Sequence, residues 1–179
     1  MKSRSKGFTL LELLLVLVVT AVLAALATPS FRGLWVKRAV QAAADALVTD
    51  LRYARSEAIK RAVQVSVCQS GNGTACAPGA VWAEGWIVFV DRNEKGFVDP
   101  GDEVLRVQSR PSGLQSIASN NPQNDHTSFT YEPTGLAKVA TQTFILTPAG
   151  SAPANSQRLI CVSSQGRARI APAGSLACS

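Results

Sequence analysis

The sequence of 179 residues predicts an α+β fold, in which one long N-terminal α-helix packs on an antiparallel β-sheet domain. The apolar run over residues 8–27 continues into apolar side chains spaced by three or four, which is helical periodicity. After Ala62, apolar residues alternate with polar ones, as in a strand. Short apolar segments separated by Ser, Asn, Pro and Gly then continue to the C terminus, which favours antiparallel strands joined by turns.

The apolar run predicts a membrane span over residues 8–28. Only Thr9, Glu12 and Thr20 are polar between residues 8 and 27, and about 20 apolar residues cross a bilayer. Residues 1–7 carry three basic residues and no acid, so they are expected to stay in the cytoplasm. A secretory signal peptide cut after Ala27 is the alternative, but an acid within its apolar region is unexpected.

We predict that the helix covers residues 8–61 and that Pro29 kinks it without ending it. Residues 29–62 form its amphipathic half. Glu57 and Arg61 are placed for an i,i+4 ion pair. The apolar stripe that should face the sheet domain consists of Val40, Ala43, Leu47, Leu51, Ala54 and Ala58.

The globular β domain is predicted over residues 63–179. Val63, Val65 and Val67 alternate with polar residues, which predicts a half-buried strand. Long polar stretches over residues 111–127 and 147–156 are predicted loops. Further strands are expected over residues 86–90, 104–108, 128–131, 143–146, 158–162 and 167–170.

The charge distribution matters more than the net charge of +6. Loss of residues 1–7 would leave 15 basic against 12 acidic residues. Residues 84–103 are mainly acidic, whereas the chain from residue 104 onward is mainly basic. An acidic stretch thus precedes a basic C-terminal half.

Four cysteines allow three disulfide pairings. Cys68 with Cys76 and Cys161 with Cys178 are favoured, because each pair closes a local loop. The compartment outside the cytoplasm permits disulfides. Zinc is a weaker alternative, because the chain has no Cys-x-x-Cys spacing and one histidine.

Residues 6–12 read Lys-Gly-Phe-Thr-Leu-Leu-Glu and closely resemble the class III signal of type IV pilins and pseudopilins. The resemblance implies a type IV pilin-like fold and anchoring in the bacterial inner membrane. It also implies cleavage between Gly7 and Phe8 by prepilin peptidase, N-methylation of Phe8 and retention of Glu12. A carboxylate in hydrocarbon costs roughly 2.5 kcal/mol or more and therefore calls for a function. In a filament, Glu12 would pair with the Phe8 ammonium of a neighbouring subunit.

Four further segments, at residues 51–61, 65–68, 85–89 and 102–106, resemble the GspH/FimT family. The family contains minor pilins of type IV pili and the H-type minor pseudopilin of type II secretion. The resemblance implies a structural subunit near the filament tip, with other pilins or pseudopilins as partners. It does not separate the pilus branch from the secretion branch. In minor pilins a C-terminal disulfide often ties down the chain end.

Residues 166–169 read Gly-Arg-Ala-Arg. Arg167 and Arg169, at i and i+2 of a strand, point the same way and suit phosphate. Gly166 permits a tight turn or a close backbone approach. In some FimT-type pilins this motif is associated with capture of extracellular DNA for natural transformation, so double-stranded DNA is an expected partner. Two solvated arginines on an edge strand are the alternative. The predicted surface would be extended by Arg158, Lys138 and Arg110.

The sequence gives only weak indications of calcium binding or catalysis. Residues 91–102 partly match a calcium loop, but Lys95 stands where an oxygen ligand belongs, and turn residues are the alternative. His126 beside Asp125 is expected to be a solvated loop residue, because no nucleophile-elbow motif accompanies it. Trp35, Trp82 and Trp86 suit a core or an interface. We therefore predict no catalytic residue, no metal and no cofactor.

Overall fold

The fold is given by a computed structural model that describes residues 7–77, 81–120, 128–150, 152–153 and 155–178, apart from the side chains of residues 26–32 and 120. Most of the predicted leader therefore lies outside the described residues, as do Asp125 and His126. The chain divides into two compact units, Met1–Trp35 and Val36–Ser179.

Helix α1 spans Leu10–Arg61. It begins after Thr9, whose Oγ1 accepts a hydrogen bond from the Glu12 backbone N–H at 3.2 Å. It does not end at Pro29, so a single helix is confirmed. Within the described part of the chain, no helix is both long and apolar enough to cross a membrane. The predicted span over residues 8–28 is thus not confirmed.

In the second unit, α1 buries the predicted apolar stripe, whose six members are at most 4% exposed. The predicted pair forms, with Arg61 Nε 2.6 Å from Glu57 Oε2. Arg61 also contacts Glu103 at 2.6 Å. The helix gives way to the first strand at Ala62, whose φ of 52° lies in the left-handed region.

The described residues hold two four-stranded antiparallel sheets. Sheet A has the order β3-β2-β1-β5, and sheet B has the order β4-β6-β7-β8. A short 3₁₀ turn, Trp82–Glu84, precedes β2. The strands are β1 Val65–Gln69, β2 Gly85–Val90, β3 Glu103–Ser109, β4 Leu114–Asn120, β5 Ser128–Tyr131, β6 Thr141–Pro148, β7 Arg158–Ser163 and β8 Ala168–Ile170.

One core joins both sheets to α1. Phe129 of sheet A packs on Phe144 of sheet B with ring centroids 6.4 Å apart. Trp86 Nε1 donates to Asp50 Oδ2 of the helix at 2.8 Å. Arg106 Nη1 lies 3.0 Å from the other oxygen of the same carboxylate. The helix and sheet A are therefore joined by a satisfied polar contact as well as by apolar packing.

Three strand predictions were wrong in detail. Strand β1 is buried on both faces rather than one, because Cys68 packs with Ile87 and Phe89 in a second cluster. The predicted loop over residues 111–127 contains strand β4, an edge strand that pairs with β6. Its mostly polar sequence did not predict a strand. Arg167 precedes β8 rather than belonging to it.

Candidate functional site: an arginine groove

A groove of about 1060 Å³ is lined by residues of α1, β6, β7 and β8 and by residues 176–178. None of the described residues that line it is acidic. Since clustered cations create a positive field, the described lining favours anions. Its four cationic side chains, which define the arginine groove, are Arg52, Arg55, Arg167 and Arg169.

The turn before β8 sets the direction of the predicted arginine pair. The Gly166 N–H donates to Ser163 O at 2.8 Å. With φ at 74°, Gly166 lies in the left-handed region that favours glycine. A Cβ on Gly166 would overlap Gly135 O and would lie 3.0 Å from Cε1 of Tyr131. Gly166 thus makes both a tight turn and a close backbone approach.

Arg167 and Arg169 are exposed, whereas Ala168 between them is 5% exposed. In the β7–β8 register, Arg169 is opposite Cys161. Arg167 Nη2 donates to Gln165 Oε1 at 3.3 Å. The alternation of exposed and buried side chains places the two guanidinium groups on one solvent-facing side, as the i,i+2 spacing predicts.

Both favoured disulfides form, and the zinc alternative is therefore wrong. Cys68 is bonded to Cys76, and Cys161 to Cys178. Cys161 and Cys178 line the arginine groove, and Thr143 Oγ1 donates to Cys178 Sγ at 3.3 Å. The second bridge thus fixes residues 176–178 as one wall of the groove, beside Arg169.

Two arginines of α1 were missed by the sequence analysis as site residues. Arg52 donates from Nε and Nη2 to Ala168 O, at 3.3 and 3.1 Å. Arg55 Nε donates to Gly135 O at 2.9 Å. Their i,i+3 spacing places them on one side of the helix. That spacing is visible in the sequence, but their partners, strand β8 for Arg52 and the segment between β5 and β6 for Arg55, are not.

The basic residues that were expected to extend the surface do not line the arginine groove. Arg158 Nε donates to Gln41 Oε1 at 2.9 Å. Lys138 Nζ donates to the main-chain oxygen of Glu94 at 3.4 Å, beside the β2–β3 loop. Arg110 follows β3 of the other sheet. The structure brings none of the three to Arg167 and Arg169. Arg158 begins β7, at the end of that strand opposite the turn at Gly166, and Lys138 and Arg110 lie outside β7 and β8.

In the candidate calcium loop, the donors serve the loop itself. The Asp91 carboxylate accepts hydrogen bonds from Ser66 Oγ at 2.9 Å and from the N–H groups of Lys95 and Gly96 at 3.1 and 2.8 Å. The Lys95 ammonium lies 3.0 Å from Asp99 Oδ2. Its hydrogen bond lowers the pKa of the Asp99 carboxyl. These contacts favour the turn-residue interpretation over calcium.

At the N terminus, the predicted processing residues lie outside the helix. Gly7 and Phe8 precede α1, and Phe8 is 79% exposed. Thr9 and Glu12 have the spacing of a helix capping box. An acid in the first turn also interacts favourably with the helix dipole.

Comparison with known proteins gives the family. The model of the family described as type II transport protein GspH matches residues 43–166. A second model, the prokaryotic N-terminal methylation motif, matches residues 2–28. The chain belongs to the GspH family of type IV minor pilins and pseudopilins. Members of this family assemble with other pilins or pseudopilins in a filament.

This GspH-family subunit is similar to individual pilins and pseudopilins. It is 34% identical over 176 residues to the pilin-like protein PilA1 of Thermus thermophilus, covering 92% of this chain and 97% of that protein. The type IV minor pilin FimU of Pseudomonas aeruginosa matches with a TM-score of 0.55 at 21% identity, over 74% of this chain and 88% of FimU. The minor pseudopilin EpsH of Vibrio cholerae matches with a TM-score of 0.53 at 16% identity, over 78% and 98%. These two structural matches show the fold, and they confirm the predicted pilin-like class.

Proposed function

We propose that this GspH-family subunit is a minor pilin of a type IV pilus, placed near the filament tip, and that it binds extracellular DNA without sequence preference. The observation that supports DNA binding is the arginine groove, whose described lining includes four arginines and no acid. The function is structural and ligand-binding rather than catalytic.

In this proposal, residues 1–7 are a leader that prepilin peptidase removes between Gly7 and Phe8, and Phe8 is then N-methylated. The match of the methylation motif to residues 2–28 supports this step. The exposure of both residues ahead of the helix leaves the peptide bond accessible.

Before assembly, residues 8–28 hold the subunit in the bacterial inner membrane, with the domain in the periplasm. Between Gly7 and Ala25 all side chains are exposed, and most are apolar. A helix that is apolar on every side is stable when lipid or other helices surround it. In the filament, Glu12 pairs with the N-terminal ammonium of a neighbouring subunit.

At the groove, Arg167 and Arg169 contact DNA phosphates. A guanidinium donates to two phosphate oxygens at once, which suits it to a polyanion. Phosphate contacts carry no sequence information, and their strength falls steeply with salt because counterions are released. DNA uptake during natural transformation is the role that fits such a site on a pilus.

A gel-shift experiment tests the DNA proposal. The full chain in detergent micelles should retard a random-sequence duplex at low salt, and R167Q/R169Q should not. The control R38Q/R92Q removes the same charge from exposed positions outside the groove and should shift DNA like the unchanged chain. Equal affinity of all three proteins would overturn the proposal.

The alternative function is minor pseudopilin H of a type II secretion system. The match of residues 43–166 to the model described as type II transport protein GspH supports it. Deletion of the gene separates the two. Loss of piliation or of DNA uptake supports the pilin, whereas loss of exoprotein secretion with normal piliation supports the pseudopilin.

A further inference from the structure

The two arginines of α1 have a role in the arginine groove that packing alone does not require. Both direct their guanidinium groups at main-chain carbonyls, Arg52 at Ala168 O and Arg55 at Gly135 O. A carbonyl is neutral, so these bonds compensate neither positive charge. A guanidinium has five N–H donors. The bonds to these carbonyls use two donors of Arg52 and one of Arg55.

The carbonyl that Arg52 binds lies at the centre of the candidate contact. Ala168 separates Arg167 from Arg169 in the chain. Ser163 N donates to Arg167 O, at 3.1 Å, so the main-chain groups of Ala168, on the alternate residue, point away from β7. Arg52 donates to Ala168 O on the side of β8 that faces away from β7. Its charge is thereby held next to the exposed arginine pair.

Arg55 is fixed in the same way one helical turn further on. Its bond partner, Gly135 O, is the atom against which Gly166 packs, and Arg55 Nε lies 3.2 Å from the position of a Cβ on Gly166. The Arg55 guanidinium therefore lies against the turn that begins the Gly-Arg-Ala-Arg segment. All four arginines line one groove.

We propose that Arg52 and Arg55 bind phosphate directly, so that nucleic acid lies across the edge of β8 and contacts four arginines rather than two. This inference rests on the proposed function of Arg167 and Arg169. Because α1 already holds its two cations in place, little side-chain freedom would be lost when the ligand binds. The groove lining includes no aromatic side chain among the described residues. Base stacking on an aromatic ring is therefore not offered by the described lining, which favours the phosphate backbone of a duplex as the ligand.

The test is the salt dependence of duplex binding by the full chain in detergent micelles, measured by fluorescence anisotropy with a random-sequence 30-base-pair probe. Each phosphate contact contributes roughly 0.9 to the slope of log K against log salt. R52Q/R55Q should therefore flatten the slope by about 1.8. R52K/R55K keeps the charges and should keep the slope. The charge-matched control R38Q/R92Q should also leave the slope unchanged.

The outcomes separate the two proposals. If the unchanged chain binds and R167Q/R169Q weakens binding, but R52Q/R55Q keeps the full slope, the α1 arginines are braces only and this inference is wrong. If the unchanged chain does not bind, the proposed function itself fails. Thermal unfolding of R52Q/R55Q and R52K/R55K, compared by circular dichroism, shows whether both fold alike. A loss of slope shared by both variants would also contradict the inference.

Discussion

Gly166 packs directly on the main-chain oxygen of Gly135, so closely that a Cβ would overlap that oxygen. The contact joins the turn before β8 to the segment that follows β5, where Arg55 binds the same oxygen. The exposed arginine pair therefore depends on a glycine for its position.

G166A should lower the free energy of unfolding by about 2 kcal/mol or more, because alanine meets both a left-handed backbone and a backbone overlap. G150A is the matched control. Gly150 has a similar φ of 69°, but nothing lies within 4 Å of its ideal Cβ. It should lose only about 1 kcal/mol, from the left-handed backbone. Denaturant unfolding measures both, and equal losses would show that the contact with Gly135 is unimportant.

Removal of the Cys161–Cys178 bridge should affect both stability and binding. The bridge closes a loop with a sequence separation of 17, and its loss should cost about 3 kcal/mol in the chain-entropy model. Since Cys161 is opposite Arg169, C161S/C178S should also weaken DNA binding. C68S/C76S, which opens the other bridge, should lose stability but keep its DNA affinity. Unchanged affinity in both variants would argue against a wall formed by residues 176–178.

Tyr131 predicts a pH dependence. It is fully buried, and among the described residues nothing bonds to its hydroxyl. Burial raises the pKa of Tyr131 above its ordinary value near 10. The native state therefore holds the proton after the unfolded chain has lost it. The free energy of unfolding is therefore unaffected by this group below pH 10 and falls as the pH rises above that value.

Y131F should remove this alkaline loss. It should also raise the free energy of unfolding by about 1 kcal/mol at pH 7, because an unsatisfied buried hydroxyl is costly. Urea unfolding at pH 7 and pH 10.5 compares the variant with the unchanged chain. A destabilised Y131F would indicate that the hydroxyl has a partner.

Glu12 should be needed for assembly. E12A and E12Q both remove the charge that is proposed to pair with Phe8 of a neighbour, while the cap from Thr9 to the backbone of residue 12 is retained. Both variants should be depleted from sheared filaments, although their levels in the membrane should be normal. Quantitative immunoblotting of the two fractions measures this. Normal incorporation of E12Q would exclude a charge-dependent role.

The sequence predicted those parts of the fold that depend on local pattern. The apolar stripe of α1 and the strand at β2 follow from periodicity. Both disulfides form in the pairing that closes local loops, which was favoured among three. Strand β4 was missed because an edge strand can be polar on most positions. The half-buried prediction for β1 failed because the burial of its second face depends on Ile87 and Phe89, which are distant in the chain.

Some residues of the candidate site can be predicted from local pattern, and others cannot. The arginine pair and Gly166 are readable from four consecutive residues. Arg52 and Arg55 are not, because they reach the site through contacts with residues more than 75 positions away. Arg158 and Lys138 were included on charge alone, and charge does not say which residues of the folded domain a side chain contacts.

The DNA affinity of the full chain as a function of salt, compared with that of R167Q/R169Q, tests DNA binding at the arginine groove most directly. We predict a steep loss of affinity with salt for the unchanged chain. For the variant we predict weaker binding at every salt concentration and a slope of log K against log salt that is flatter by about 1.8. Identical affinities and slopes for the two proteins would contradict the assignment of the arginine groove as a DNA-binding site.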